Sequence, residues 1–167
     1  MEEGNLSRSQ TIAIVALRVL IGWHFLYEGL SKLTNPAWSA AGYLAQSRGP
    51  LSGLFRWMAA GPSVLGSVNL LNKWGLTLIG LGLILGCFTR TAAASGILVM
   101  LLFYLCNPPF VGYFYSIPTE GSTLIVNKNL VELAALAVVL VTGSGRAAGL
   151  DRIIHGLLRK RPRPAEA

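Results

Sequence analysis

The sequence predicts an all-α polytopic membrane protein, a four-helix bundle with a partly helical outer loop and a C-terminal amphipathic helix. Three observations carry that expectation. Of the 167 residues 53% are hydrophobic, and the mean hydropathy is +0.55. Charged residues are 13% of the chain, about half of the roughly 25% found in soluble domains. The apolar residues also lie in long runs, and a chain of this length has no interior large enough to hide them. Disorder, a disulfide scaffold (there are two cysteines) and a soluble enzyme are all poor fits to these numbers. One domain, 1–167, is expected.

The first span is read at 11–33, apolar but interrupted by Arg18, His24, Glu28 and Lys32. Charge within it and the lack of a small-x-small cleavage site favour an uncleaved span over a signal peptide. Segment 34–61 is rich in Pro, Gly and Ser and reads as a partly helical loop, with Trp38, Tyr43 and Trp57 suited to the membrane interface. Pro62 is placed to open the second span (64–89), and Arg90 sits in a short turn before the third (91–106). Asn107-Pro108-Pro109 stops that helix, because proline lacks the donor and restricts the residue before it. An aromatic loop, 110–126, leads to the fourth span at 128–143, ended by Gly143-Ser144-Gly145. Segment 149–160 carries Leu150, Ile153, Ile154, Leu157 and Leu158 at helical spacing and reads as an interfacial tail. The charge-free core Trp74–Thr89 covers only about 24 Å of a hydrocarbon layer about 30 Å thick, so polar flanks must snorkel.

An even number of spans puts both termini on one side of the membrane. That side holds Arg8, Arg90 and the tail's Arg146, Arg152, Arg159, Lys160, Arg161 and Arg163; the other holds Lys32, Arg48, Arg56, Lys73 and Lys128. Basic residues favour the cytoplasmic side, so a multi-pass protein of the cell (inner) membrane with both termini cytoplasmic is expected. The basic tail suits anionic lipid; no aromatics interleave with it, so nucleic acid is not an expected partner.

The polar residues within the spans share a level. Arg18, His24, Glu28 and Lys32 fall within an arc of roughly 120° on the first helix, opposite Ile12, Val15, Val19, Trp23, Leu26 and Leu30, which suit lipid. Gly22 and Gly29 adjoin the stripe and permit a close neighbour. The second span enters with Asn69, Asn72 and Lys73, the third leaves with Tyr104 and Asn107, and the fourth enters with Asn129 and Glu132. Charges at depth cost about 2.5–3.5 kcal/mol each on insertion scales, so pairs are expected: Glu28 with Lys32, Glu28 or Glu132 with Arg18, Glu132 with Lys73 or Lys128. Two readings stay open. The pairs neutralise one another and fix helix register, or they line an outer-side pocket for a polar or anionic head group or a quinone.

Other constellations carry less. Cys87 and Cys106 are expected at opposite ends of the bundle, too far apart for one disulfide. His24 is the single intramembrane histidine, so a bis-histidine haem within one chain is not expected. No His/Cys cluster has metal spacing, and no phosphate loop follows a strand.

The runs LRVLIGWHFLYEGLSKL (17–33), WGLTLIGLGLILGCFTRTAA (74–93), LLFYLCNPP (101–109), VNKNLVEL (126–133) and GRAAGLDRII (145–154) resemble the DoxX/DoxD family. The resemblance spans nearly the whole chain and is strongest to the branch of the small DoxD subunit of thiosulfate:quinone oxidoreductase. It implies quinone-linked oxidation of thiosulfate or a related small substrate at the outer face. Arg18, Lys32 and Lys73 would then hold a sulfur oxoanion, with Asn69, Asn72, Tyr104, Asn107 and Asn129 lining the pocket, and Glu28, Glu132 or His24 would move protons. Quinone would be a diffusible electron acceptor. With no flavin, haem or metal site evident, a redox partner subunit or a homo-oligomer is implied beside the lipid bilayer. The alternatives are a non-catalytic docking or assembly module and a carrier for a small anion or lipid; the latter lacks the paired broken helices of transporters.

Overall fold

A computed structural model describes residues 7–116 and 124–159; the side chains of 146, 147, 154, 155 and 157–159 are outside that description. Among these residues the chain is helical with no strand. The helices are α1 (Arg8–Leu33), α2 (Ala41–Ala45), α3 (Ser52–Ala60), α4 (Pro62–Leu85), α5 (Thr89–Cys106), α6 (Lys128–Thr142), α7 (Ser144–Ala147) and α8 (Leu150–Arg159). Part of the expected interfacial tail, with Lys160, Arg161 and Arg163, lies outside the described residues.

Local chemistry sets most boundaries. Ser7 and Gln10 form a reciprocal capping box at α1: the Gln10 N–H donates to Ser7 Oγ and the Ser7 N–H to Gln10 Oε1. Pro62 occupies the first turn of α4, and the Asn127 side chain accepts from the Leu130 N–H to cap α6. The second span stops earlier than expected. It does not run to Thr89, because Gly86 takes a left-handed conformation (φ 64°) and the Cys87 N–H donates back to the Gly82 carbonyl at 3.0 Å. Thr89 and Arg90 therefore belong to the first turn of α5.

Four helices run in alternating directions. At one end the α4–α5 hinge, Gly86–Phe88, meets the end of α6; at the other α2, α3 and the loop after α5 cover the bundle. We call these the hinge end and the loop end. α1, α4 and α5 are long and apolar enough to cross a membrane. The expected fourth span, α6, has 15 residues and is about 22 Å long, shorter than the other three. It is nevertheless integral to the core: Leu136 and Val139 are fully buried beside Phe25, Leu76, Leu83 and Ala93.

The α1–α4 seam depends on small residues. A Cβ on Gly80 would strike the Leu26 amide of α1 and lie 2.7 Å from the Gly22 carbonyl oxygen, and one on Gly29 would strike Thr77. Val15 and Leu26, expected toward lipid, are instead partly buried, Leu26 in this seam, while Ile12, Val19, Trp23 and Leu30 are exposed as expected. Replacing Gly by Ala in a helix ordinarily gains about 1 kcal/mol. Gly80→Ala is expected to reverse that sign, because overpacking costs about 1–3 kcal/mol. Gly75→Ala on the same helix, with nothing within 4 Å of the new carbon, should keep the gain. Thermal unfolding of the two variants in detergent checks the contrast.

The loop end is pinned by a second cluster, Ala40, Leu44, Phe55 and Cys106. Tyr43 Oη donates to the Phe103 carbonyl at 3.0 Å, Asn107 Nδ2 donates to the Tyr43 carbonyl at 3.2 Å, and Ser47 Oγ donates to the Cys106 carbonyl at 2.7 Å. Burial pushes the Tyr43 phenol well above its ordinary value of 10.0. A group whose folded pKa is raised binds its proton more tightly when folded. Its contribution is intact below the unfolded value and is lost as pH climbs above about 10. Stability should therefore fall above that pH in the natural chain and fall less steeply in Tyr43→Phe, as followed by alkaline unfolding.

Candidate functional site

His24, Glu28 and Lys32 recur every four residues on α1 and so share one face. The alternating bundle brings the first turns of α6 against that face, and His24 Nδ1 lies 3.1 Å from Glu132 Oε1. His24 is half-exposed and Glu132 mostly buried, so the pair opens on one side and is anchored on the other. One turn on, Lys32 Nζ donates to Glu28 Oε2 at 3.0 Å. Further toward the loop end, Lys32 Nζ stands 5.5 Å from the centroid of Trp38 and 5.9 Å from that of Phe103, and Lys73 Nζ from α4 stands 5.6 Å from the same Trp38 ring. Ring quadrupoles attract cations at such distances. Trp38 thus gathers two ammonium groups from different helices. As a loop aromatic it reads from sequence as an interface anchor, and only the fold reveals this role.

Arg18 does not join this group. It lies six residues before His24, about 9 Å along the helix, and about 15 Å from the level of Glu28. The expected pairs of Arg18 with Glu28 or Glu132 are replaced by a buried arrangement at the hinge end. There Arg18 is 2% exposed, its Nη2 donates to the Ala148 carbonyl at 2.7 Å, and the Asp151 carboxylate lies within electrostatic reach. Asp151 in turn accepts from the Phe88 and Thr89 N–H groups, at 2.7 and 3.0 Å, at the start of α5. An arc on a helical wheel leaves out axial rise, which is why the sequence places Arg18 too near the others. Glu132 is paired with His24, and Lys73 faces Trp38 rather than Glu132.

The polar residues divide by role. Asn69 braces the outer loop, accepting from the Ala40 N–H at 2.9 Å and donating to Ser39 Oγ at 3.3 Å. Asn107 braces Tyr43, and Tyr104 Oη donates to the Ile125 carbonyl at 2.9 Å, tying α5 to the approach to α6. Asn129 is partly buried in the first turn of α6. Asn72, beside Lys73 in sequence, keeps its Oδ1 buried without a hydrogen-bond partner. Cys87 and Cys106 are free thiols at opposite ends of α5 and its hinge. Among the described residues no group of three or more His, Cys, Asp or Glu side chains comes together to hold a metal.

The arrangement can do two things chemically. An imidazole hydrogen-bonded to a carboxylate can pass a proton, and two lysines on one aromatic ring present positive charge to an anion. Compared with known proteins, residues 13–107 match the DoxX family model, an interval that holds Arg18, His24, Glu28, Lys32 and Lys73 and stops short of Glu132 and Asp151. No curated protein and no solved structure matches the chain. The match covers more than half the sequence and coincides with three apolar helices of membrane-crossing length, so this chain is a small integral membrane protein of the DoxX family.

Proposed function

We propose that the chain is the membrane subunit of a quinone-linked oxidation of thiosulfate or a related small anion, with its loop end on the outer side of the cell membrane and both termini in the cytoplasm. The observation that carries this reading is the His24–Glu132 pair, half-exposed between two helices where a lipid-soluble ring can approach. Reduction of a quinone to a quinol takes two electrons and two protons. Oxidative joining of two thiosulfates through a new sulfur–sulfur bond supplies the electrons, passed on by a partner subunit. The His24–Glu132 pair passes two protons to the quinone oxygens one after the other, and each is replaced from water by way of the half-exposed imidazole and Glu28 on the same face. Lys32 and Lys73 draw the anion toward the loop end. Arg18 has no part in binding here.

A second reading, a non-catalytic docking module, is favoured by the saturation of the same charges: Lys32 on Glu28, Glu132 on His24. The two separate cleanly. Membranes holding the chain with its partner should form quinol when thiosulfate is added, and membranes lacking the chain should not. Equal quinol formation with and without the chain would leave the docking reading standing.

A further inference from the structure

Beyond the helix bundle, the loop end carries a groove of about 640 Å³ lined by Gln46, Ser47, Arg48, Ser52, Arg56 and the aromatic pair Tyr113 and Phe114. Most of these residues have their polar groups occupied. Gln46 Oε1 accepts from the Ser116 N–H at 2.6 Å, and Ser47 Oγ donates to the Cys106 carbonyl. Arg56 spends part of its guanidinium on Ser52, donating through Nε to the carbonyl at 3.3 Å and through Nη2 to Oγ at 3.1 Å. Arg48 is exposed and makes no hydrogen bond or ion pair with a described residue. No carboxylate among the described residues lines the groove: Glu28 is on Lys32, Glu132 on His24, and Asp151 at the hinge end.

Two guanidinium groups in one polar groove, uncompensated by a described carboxylate, form a receptor for an oxoanion. Guanidinium forks match the paired oxygens of phosphate and sulfate-like groups. The surroundings fix the level at which that anion sits. Leu54 and Trp57 of α3 point outward although Phe55 beside them is buried, Trp57 being 61% exposed, and Phe114 on the groove wall is 81% exposed. Exposed aromatic side chains beside arginines are the composition of a membrane–water boundary. We infer that the Arg48–Arg56 groove binds a phosphate-type oxoanion at the membrane surface. This site is separate from the His24–Glu132 pair and stands or falls independently of the quinone reading.

The full-length protein in neutral detergent tests this by titration with short-chain phosphatidylglycerol and, in a separate arm, with inorganic phosphate. Binding of the lipid alone identifies a lipid headgroup as the source; binding of inorganic phosphate identifies a free oxoanion. In either arm Arg48→Ala/Arg56→Ala should weaken binding at least tenfold, and raised salt should weaken it further in the natural chain. Arg48→Ala alone, which removes no internal bond, should weaken binding severalfold with an unchanged melting temperature, so the inference remains testable if the double variant does not fold. Arg8→Ala, an exposed cation on α1, should leave affinity unchanged. The inference is overturned if neither probe binds, if the folded arginine variants bind as the natural chain does, or if Arg8→Ala weakens binding equally.

Discussion

Arg18→Met is expected to destabilise the protein by about 1.5–3 kcal/mol, the usual worth of a hydrogen bond from a charged group. Methionine matches the apolar stem of arginine, so the loss comes from what the guanidinium holds. The Ala148 carbonyl loses its donor, and Asp151 loses the charge it faces. Asp151 also anchors the start of α5 through two N–H groups, and its own N–H donates to the Gly86 carbonyl at 2.9 Å. Arg18 thereby fastens α1 to the α4–α5 hinge and to the segment carrying α7 and α8. Gly86 and Gly149 allow the approach, since a Cβ on either would come within 2.8 Å of the other's backbone. Thermal unfolding in detergent measures the loss, and limited proteolysis between 144 and 152 should become faster. A variant as stable as the natural chain that had lost affinity for thiosulfate would make Arg18 a ligand group instead.

The second large effect is expected at Glu132. Glu132→Gln keeps the size and the hydrogen bonding of the side chain and removes its charge and its titrating proton. If Glu132 and His24 deliver protons to quinone, quinol formation should fall about 10²–10⁴-fold, the range for a positioned general acid or base, while the melting temperature stays close to that of the natural chain. His24→Gln should act similarly, and the double variant should be scarcely worse than either alone, because the two groups work as one unit. A merely structural pair would give the opposite signature: modest loss of stability and no separate loss of turnover.

Much of this architecture is legible in the residues. Apolar runs identify the long helices, Pro62 marks a start, and Asn107-Pro108-Pro109 and Gly143 mark stops that the fold respects. The stripe His24, Glu28, Lys32 needs only helical periodicity. The distance of Arg18 from that stripe also follows from residue numbers at about 1.5 Å per residue, although an arc on a wheel conceals it. Two features are not legible, each for a physical reason. The His24–Glu132 pair depends on the vertical register of α1 against α6, set by core packing around Leu136 and Val139 rather than by either segment alone. The engagement of Asp151 at the hinge depends on Gly145 and Gly149 letting the tail return to Gly86. A tail read only for its amphipathic spacing gives no hint of that.

Photolabelling with an azido-quinone, mapped by mass spectrometry on the protein in membranes, addresses the central claim most directly. Adducts should fall on the Trp23–Lys32 stretch of α1 and the first two turns of α6, and excess unmodified quinone should suppress them. Labelling confined to other helices, or adducts on α1 and α6 that excess quinone does not displace, would contradict a quinone site at His24 and Glu132.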